Sequence, residues 1–219
     1  MALALSEPLE DLVTRLLAEA PSRVRSLTLP DGRRFWLKQV EAALPLRMRL
    51  QKGNVRAAFE AERTGLRVLG QNGLPVAPIA LDGPDYILLP DVGRTLNLVL
   101  ADAPEEEQAR AFRAAGLSLA RLHRAGFVHG RPAIRDICWD GTEARFIDLE
   151  RFSPKRQGRL HQAMDVIIFV QTVMTAAGAH VAALDEALAA YEAAAPEGMM
   201  VTVRRLAGMA WLAWPGGAR

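Results

Sequence analysis

The segment from Leu119 to Glu150 constrains the fold of this chain more than any other. It begins in the last turns of an amphipathic helical pattern that ends at Gly126, a residue typical of a helix C-cap. A polar loop follows, and then two short strand-like stretches joined by Asp140-Gly141, a dipeptide that favours a hairpin turn. Asp148 comes directly after the second stretch. This order predicts a helix, a polar loop and a β-hairpin in immediate succession, with a carboxylate at the exit of the hairpin.

The part of the chain that precedes this segment is predicted to be rich in strands. Apolar residues at helical spacing indicate a leading helix over residues 8–19. Two alternating stretches joined by Pro30-Asp31-Gly32 predict a β-hairpin over residues 25–38. The remaining elements of this part are a helix over residues 54–70 and two strands over residues 76–81 and 86–89.

The second part of the chain is predicted to be mostly helical. Its helices are expected over residues 107–125, 163–176, 182–195 and 201–214, with the hairpin at 137–152 embedded among them. The fold class is therefore α+β, with a small strand-rich lobe over residues 1–92 and a mainly helical lobe over residues 93–219. The two lobes are predicted to meet near Asp91–Gly93.

The bulk composition narrows the class of partners. The chain has 219 residues, half of them hydrophobic, and a net charge of only +2, so nucleic-acid binding is not expected from its electrostatics. The single Cys138 excludes an intrachain disulfide, and no zinc-ligand spacing is present. No signal peptide is evident, and the most apolar run, residues 163–178, contains Asp165 and is expected to be too short to span a bilayer. We expect a cytoplasmic protein and leave peripheral contact with the inner face of the membrane open.

Two stretches carry a resemblance to a known family. They are LARLHRAGFVHG, residues 119–130, and HGRPAIRDICWDGTEARFIDLE, residues 129–150. With the preceding strands and Lys38 in the same order, the chain resembles the lipopolysaccharide-kinase branch of the protein-kinase-like superfamily, which includes the Kdo kinases. The resemblance covers about residues 25 to 175. It implies a bilobal fold of minimal size, ATP and Mg²⁺ as cofactors, and a sugar or lipid-linked sugar as the phosphate acceptor.

The resemblance assigns the nucleotide to the first lobe. Lys38 matches the strand lysine that holds the α- and β-phosphates, although a lysine after apolar residues can also be an ordinary surface side chain. Glu62 shares a helical stripe with apolar residues and is the expected ion-pair partner of Lys38, with Glu60 as the alternative. Leu89 and Asp91, at the junction of the lobes, are the other expected nucleotide contacts.

The resemblance assigns the metal to the second lobe. Asp148 matches the magnesium-binding aspartate, and the alternative is a solvated aspartate at the end of a strand. Asp136 stands where the second metal ligand is normally asparagine, and aspartate is also a competent oxygen ligand. Asp165 matches an aspartate that braces the catalytic loop. We therefore predict Mg²⁺ ligation by Asp136 and Asp148 and a structural role for Asp165.

Arg131 departs from the family pattern, because this position normally carries the aspartate that accepts the proton of the substrate hydroxyl. Arginine cannot accept a proton near neutral pH. It could instead stabilise the transferring phosphoryl group, or it could pair with Asp136 or Asp148 and fill the metal site. A glycine-rich loop is also missing ahead of Leu27; backbone amides near the first hairpin or the basic residues 47–56 could replace it.

Three functions remain open at this point. The first is an ATP- and Mg²⁺-dependent phosphotransferase acting on an alcohol group, with Arg131, Asp136 and Asp148 at its catalytic centre. The second is a pseudokinase, a module of the same fold that senses nucleotide or binds a partner. The third is an unrelated α+β domain in which the motif is accidental. The oligomeric state is not predicted.

Overall fold

The structure is a computed structural model that describes residues 8–19, 22–40 and 55–212. Its first part is built on a four-stranded antiparallel sheet with the strand order β1-β2-β4-β3. The strands are β1 (Val24–Thr28), β2 (Arg34–Gln39), β3 (Leu81–Asp82) and β4 (Tyr86–Pro90). The turn between β1 and β2 uses Gly32 at a positive φ of 86°, so the predicted Asp-Gly hairpin is confirmed.

The two faces of this sheet have different roles. Helix α1 (Leu9–Ala18) covers one face, where its Val13 belongs to a core cluster with Phe35 and Leu37 of β2. Because side chains alternate along a strand, Trp36 and Lys38 project to the other face. That face looks towards the second part of the chain and is where the functional residues gather.

Helix α2 (Val55–Gln71) confirms the helix predicted over residues 54–70. Its buried stripe includes Phe59, Glu62 and Leu66. Gly65 lies on the same stripe, and a Cβ atom built there would come within 2.9 Å of the Leu149 side chain. A glycine is therefore needed for α2 to approach the segment after β7 so closely, and this approach places Glu62 beside Asp148.

The prediction of a strand over residues 76–81 is wrong for most of that range. Only Leu81–Asp82 pairs with β4, and Val76 instead forms an isolated parallel bridge with Phe146 of the second sheet. Pro75 and Pro78 explain the difference, because a proline has no N–H to donate to a ladder of strand hydrogen bonds.

The second part of the chain is mainly helical around a small three-stranded sheet with the order β5-β6-β7. The strands are β5 (Arg94–Thr95), β6 (Ile137–Trp139) and β7 (Ala144–Phe146). The helices are α3 (Leu96–Asp102), α4 (Glu105–Arg124), α5 (Arg159–Ala177), α6 (Ala182–Ala194) and α7 (Met199–Leu212), with a 3₁₀ turn at Ile134–Asp136. The hairpin strand after the Asp140-Gly141 turn ends at Phe146, earlier than predicted.

Close helix packing forms the core of this part. Helices α4 and α6 approach so closely that a Cβ atom on Gly116 would lie 2.1 Å from the Ala187 carbonyl oxygen. The rings of Phe112 in α4 and Phe169 in α5 have centroids 6.3 Å apart. The predicted packing of Trp211 and Trp214 concerns side chains that lie outside the described residues.

Helix α5 is longer than the helix that the apolar run predicted over residues 163–176. With 19 residues it is long and apolar enough, by length and composition alone, to cross a membrane, which corrects the expectation that this segment is too short. A buried face that includes Ala163, Asp165 and Phe169 packs into the core of the second part. One face of the helix thus packs into the core, and a single helix of this kind is weak evidence for a membrane span.

Candidate active site

Lys38 lies in the cleft between the two parts of the molecule. Its ammonium group forms an ion pair with Glu62 and donates a hydrogen bond to the Ile147 carbonyl oxygen, with Nζ and O 2.9 Å apart. Glu62 is 3% exposed, and burial raises its pKa while the Lys38 charge opposes the rise. Glu60 is instead partly exposed and lies near Arg63, 3.5 Å away. The predicted contact of Lys38 with Glu62, rather than with Glu60, is therefore present.

Asp148 lies directly across this cleft from Lys38 and Glu62. Carboxylate oxygens of Asp148, Glu62 and Glu150 all lie within 4.8 Å of one another. Asp148 Oδ1 also accepts a hydrogen bond from the Glu150 backbone N–H, with 3.2 Å between the two heavy atoms. The three carboxylates, Lys38 and Arg23 line a cavity of about 370 Å³. The cavity is thus rich in charged groups of both signs.

An ion pair between Arg23 and Glu150 crosses the mouth of this cavity. Arg23 precedes β1, in the segment where a glycine-rich loop would enter the sheet, and Glu150 follows Asp148 by two residues. The Arg23 side chain is 48% exposed, so it can turn towards a ligand without disturbing the packing of the protein core. Residues 41–54, which contain most of the other basic segment considered for phosphate binding, lie outside the described part of the chain.

The donor atoms in this region fit a magnesium ion. Mg²⁺ prefers carboxylate oxygens at short distance and keeps some of its water. The cluster of Glu62, Asp148 and Glu150 offers such oxygens, although Lys38 already engages Glu62. Asp136, the second ligand predicted from the sequence, is not among the carboxylates that come together here in the described residues. Its Oδ2 atom is nevertheless buried and has no hydrogen-bond partner, so it is available to ligate a cation.

A second cavity of about 590 Å³ lies between the sheets of the two parts, and Lys38 lines both cavities. Its walls include Trp36, Leu89 and Ile147, which are large apolar side chains suited to a flat aromatic base. Asp91 lies at its edge and accepts a hydrogen bond from the Gly93 backbone N–H at 2.9 Å. The structure therefore brings both Leu89 and Asp91 to the cavity next to Lys38.

The polar loop after α4 is held in place by Asp165 of α5. Its carboxylate accepts hydrogen bonds from the backbone N–H groups of His129, at 2.6 Å, and Gly130, at 3.0 Å. Gly130 has a φ of 96°, and a Cβ atom there would lie 2.6 Å from the Arg151 carbonyl oxygen. Only glycine accommodates both the conformation and the close approach. Asp165 thus occupies the bracing position that the resemblance implied.

His129 is buried under this loop and does not face a substrate. Its ring packs edge-on against Phe146, with ring centroids 5.0 Å apart. Burial lowers the pKa of His129 to about 4, so the imidazole is neutral at physiological pH. A second buried histidine, His123, hydrogen-bonds Tyr191 at 2.7 Å and lies 3.4 Å from Asp165. Both histidines therefore support the loop from within the core.

Arg131 points towards Asp136 and makes only a loose contact with it. The Nη2 and Oδ2 atoms are 3.8 Å apart, and Arg135 Nε lies 3.5 Å from the other carboxylate oxygen. Burial, followed by the charge of Asp148, raises the pKa of Asp136 to about 6 despite the two arginines. Of the two pairings considered for Arg131, the structure shows the one with Asp136.

A groove of about 540 Å³ opens on the far side of Arg131, between the loop, α3 and α5. Its polar lining comes from Asn97, Arg131, Arg135, Gln171 and Thr172. Two buried atoms of these residues, Asn97 Oδ1 and Arg131 Nε, have no hydrogen-bond partner in the described structure. The groove therefore combines positive charge with unpaired polar atoms.

Sequence reasoning missed several residues of this site. Glu150 could have been found, because residues two apart in an extended segment lie on the same side and Asp148 precedes it by two. Arg23 and Asn97 carried no signal, since their roles depend on neighbours from distant parts of the chain. Tyr191 is one of the largest fully buried side chains, and nothing local in the sequence connects it to His123.

Comparisons with known proteins support the fold. No protein-family model matches the chain. An uncharacterised protein of Haemophilus influenzae (strain ATCC 51907 / DSM 11121 / KW20 / Rd) is 31% identical over 145 residues, which are 65% of this chain and 60% of that protein. The chain thus spans about 60% of the length of this relative.

Solved structures of WbdD resemble the chain more completely. The crystal structure of WbdD matches with a TM-score of 0.56 and 14% identity, covering 85% of this chain and 48% of that one. WbdD with the kinase inhibitor LY294002 matches over the same 85%, with 49% of that chain covered, at 12% identity and a TM-score of 0.48. At this identity the first match shows the fold alone. The predicted fold class is confirmed: the chain has an α+β, bilobal, protein-kinase-like fold.

Proposed function

We propose that this chain binds ATP with Mg²⁺ in the cleft between its lobes and transfers the γ-phosphoryl group to an acceptor. One observation carries the proposal. The Lys38 ammonium is held between Glu62 and the Ile147 carbonyl, on the wall shared by the two cavities and facing Asp148. Phosphoryl transfer depends on positioning and charge stabilisation, and a fixed cation opposite a carboxylate supplies both.

The two cavities suit the two ends of a nucleotide. The adenine ring would occupy the apolar cavity between Trp36, Leu89 and Ile147, and Asp91 would lie at its edge. The phosphates would extend past Lys38 into the charged cavity. There Arg23 would leave Glu150 and bind phosphate oxygens, because a guanidinium matches the geometry of a phosphate better than that of a single carboxylate oxygen. Arg23 would thereby replace the missing glycine-rich loop.

The metal would be held by Asp148 with Glu150 on one side and Asp136 on the other. When bound, Mg²⁺ neutralises the charge of the transferring phosphates. The Lys38 ammonium keeps Glu62 occupied, so Glu62 serves mainly to orient Lys38. Asp136 would be ionised more readily beside a cation, since burial and the nearby Asp148 charge are what raise its pKa.

The absence of a base at position 131 affects the rate of phosphoryl transfer and not the binding of the nucleotide. Loss of a general base costs about 10² to 10⁴ in rate. The Arg131 guanidinium could offset part of this loss by stabilising the charge on the transferring group, as arginines do in other phosphoryl-transfer sites. The resemblance to lipopolysaccharide kinases makes a sugar or a lipid-linked sugar the acceptor class to test first.

A pseudokinase is the second candidate, and the contact between Arg131 and Asp136 favours it. The guanidinium lies 3.8 Å from a predicted metal ligand and could substitute for the cation. The protein would then bind nucleotide, or a partner, without turnover.

Thermal unfolding with and without saturating Mg-ATP tests the proposal. At a ligand concentration of about 100 Kd, binding adds roughly 2.7 kcal/mol, a shift of about 5–10 °C for a chain of this size. The shift should require Mg²⁺ and disappear in Asp148→Ala, while Asp185→Ala, an exposed aspartate of α6, should keep it. A magnesium-dependent shift without any phosphoryl transfer or ATP hydrolysis would favour the pseudokinase. No shift at millimolar ATP would exclude the phosphotransferase and the nucleotide-binding pseudokinase, and would leave the partner-binding pseudokinase.

A further inference from the structure

The groove beside Arg131 shares no lining residue with either nucleotide cavity, but Arg131 itself lies beside Asp136, a proposed ligand of the metal in the cleft. It is lined by Arg131 and Arg135 of the loop, by Asn97 of α3, and by residues of the exposed side of α5. Arg131 and Arg135 are 38% and 64% exposed, and both contact Asp136 at distances longer than a good hydrogen bond. Their charges are therefore only partly satisfied within the protein.

Two buried atoms of the residues that line this groove lack hydrogen-bond partners. The Arg131 Nε–H is a buried donor without an acceptor, and Asn97 Oδ1 is a buried acceptor without a donor, among the residues the structure describes. An unpaired buried polar group is unfavourable, which is why most such groups are paired by protein, water or ligand. A ligand carrying a negatively charged oxygen would be bound by the exposed parts of the Arg131 and Arg135 guanidinium groups.

The chemistry of the loop also limits the acceptor. A neutral hydroxyl must lose a proton as it attacks phosphorus, and this chain has an arginine at position 131, where the resemblance implies the proton acceptor. An oxygen that is already ionised has no proton to lose. For such an acceptor, a guanidinium at this position is useful, because it attracts and orients the nucleophile.

We infer that the groove binds the phosphate acceptor and that the attacking atom of this acceptor is an oxyanion, of a phosphate or a carboxylate group. This inference rests on the proposed phosphotransferase function. A lone pair of the oxyanion forms a bond to the γ-phosphorus, and the bond from that phosphorus to the bridging oxygen breaks. ADP leaves with that electron pair, and no proton is transferred. The product is a phosphoanhydride or an acyl phosphate. A sugar phosphate or a sugar acid as acceptor would keep the sugar that the resemblance implies, with an oxyanion in place of the hydroxyl as the attacking group.

Titration with small oxyanions tests the groove directly. Inorganic phosphate and acetate are added separately while the ¹H–¹⁵N resonances of the arginine Nε groups are recorded, and the Arg131 signal is assigned by its loss in Arg131→Lys. We expect the Arg131 resonance to move in a saturable way at millimolar anion. Arg135→Gln should weaken this binding about tenfold, the loss expected for one charge-assisted hydrogen bond. Arg113→Gln, an exposed arginine of α4, should leave it unchanged.

The anion used separates the two acceptor chemistries. A response to phosphate alone assigns a phosphate group, and an equal response to acetate assigns a carboxylate. If neither anion moves the Arg131 resonance, or if Arg135→Gln binds as tightly as the wild type, the inference is wrong. It is also wrong if a transferred phosphoryl group is ever found on a neutral hydroxyl oxygen.

The titration does not depend on nucleotide binding. It is repeated in Lys38→Met, in which phosphate cannot use the ammonium of the nucleotide site. An absent Mg-ATP shift with an intact anion response would remove the proposed function and keep the anion site. A normal Mg-ATP shift with no anion response would do the reverse.

Discussion

The two sides of Asp148 differ in how completely their charges are paired. On the side of the small lobe, Lys38 contacts both Glu62 and a backbone carbonyl, and Glu150 is paired with Arg23. On the side of the loop, Arg131 and Asp136 stand 3.8 Å apart. Each of these two residues has a buried atom without a hydrogen bond in the described structure.

This difference separates what the protein has already organised from what it leaves to a ligand. A fully paired cluster is rigid and costs little to keep in place when a nucleotide arrives. A half-paired cluster is unfavourable in the free protein, and binding of a cation or an anion relieves it. The small-lobe side is therefore preorganised, whereas the loop side would be completed by the ligands proposed for it.

The largest expected effect on the free energy of unfolding is that of Asp165, which holds the loop that contains Arg131. Asp165→Ala leaves the backbone N–H groups of His129 and Gly130 without an acceptor, so the free energy of unfolding should fall by about 3–5 kcal/mol. Urea unfolding near neutral pH measures it. Asp165→Asn retains one carbonyl acceptor and should lose less. If Asp165→Ala changes stability by less than about 1 kcal/mol, the loop is held by something else.

The next largest effect on stability tests the small-lobe side of Asp148, where the charges are paired. Lys38→Met removes the cation beside the buried Glu62, and we expect a loss of about 2–3 kcal/mol at neutral pH. Burial already raises the pKa of Glu62, and this substitution raises it further. The loss should therefore be present above the folded-state pKa of Glu62 and disappear as the pH falls and the carboxyl becomes protonated.

A double variant provides the control for this effect. Glu62→Gln in the Lys38→Met background removes the unpaired charge, so most of the lost stability at neutral pH should return. Urea unfolding of the wild type, Lys38→Met and the double variant at several pH values gives the comparison. A loss in Lys38→Met that is independent of pH, or that Glu62→Gln fails to recover, would show that packing and not charge is responsible.

The third effect has the opposite sign. The pKa of Asp136 is raised to about 6, so its ionised form disfavours the folded state at neutral pH. Asp136→Asn should therefore stabilise the metal-free protein by about 1–3 kcal/mol near pH 7.5. The gain should shrink as the pH falls through about 6 and vanish near the ordinary aspartate pKa of about 4. Stabilisation that persists unchanged at low pH would contradict the unpaired-charge interpretation.

The smallest expected effect on stability is that of Arg23→Ala. Exposed ion pairs contribute about 0–1 kcal/mol, so unfolding should barely change. Affinity for ATP should nevertheless fall about tenfold, because a charge-assisted contact to phosphate is lost, while affinity for adenosine stays the same. Calorimetry with the two ligands makes the distinction. Equal losses for both ligands would place Arg23 outside the phosphate site.

Local periodicity explains which parts of the fold the sequence predicts correctly. Alternation along β2 puts Lys38 on the cleft side, and the helical stripe of α2 turns Glu62 inward and leaves Glu60 outside. Both patterns act over a few residues and fix the direction of each side chain, whereas the resemblance implied that the two side chains meet. The prediction of a strand over residues 76–81 is wrong for an equally local reason. The prolines at positions 75 and 78 have no N–H to donate to a strand ladder, and this outweighs the apolar pattern of the neighbouring residues.

Long-range contacts explain what the sequence did not predict. Arg23 meets Glu150 across 127 positions of the chain, and no pattern near either residue indicates the other. The same holds for the carboxylates nearest to Asp148: the chain order points to Asp136, whereas the packing of α2 through Gly65 brings Glu62 and Glu150 closest in space. The role of Asp136 in binding metal stays a prediction.

The bridge between Val76 and Phe146 has a mechanical consequence. The Ala77 N–H donates to the Phe146 carbonyl and the Phe146 N–H donates to the Pro75 carbonyl, both at 2.9 Å. These backbone bonds join the two lobes two residues before Asp148. If the cleft opens, we therefore expect Asp148 to move less relative to the small lobe than residues of the second part that lie farther from this bridge.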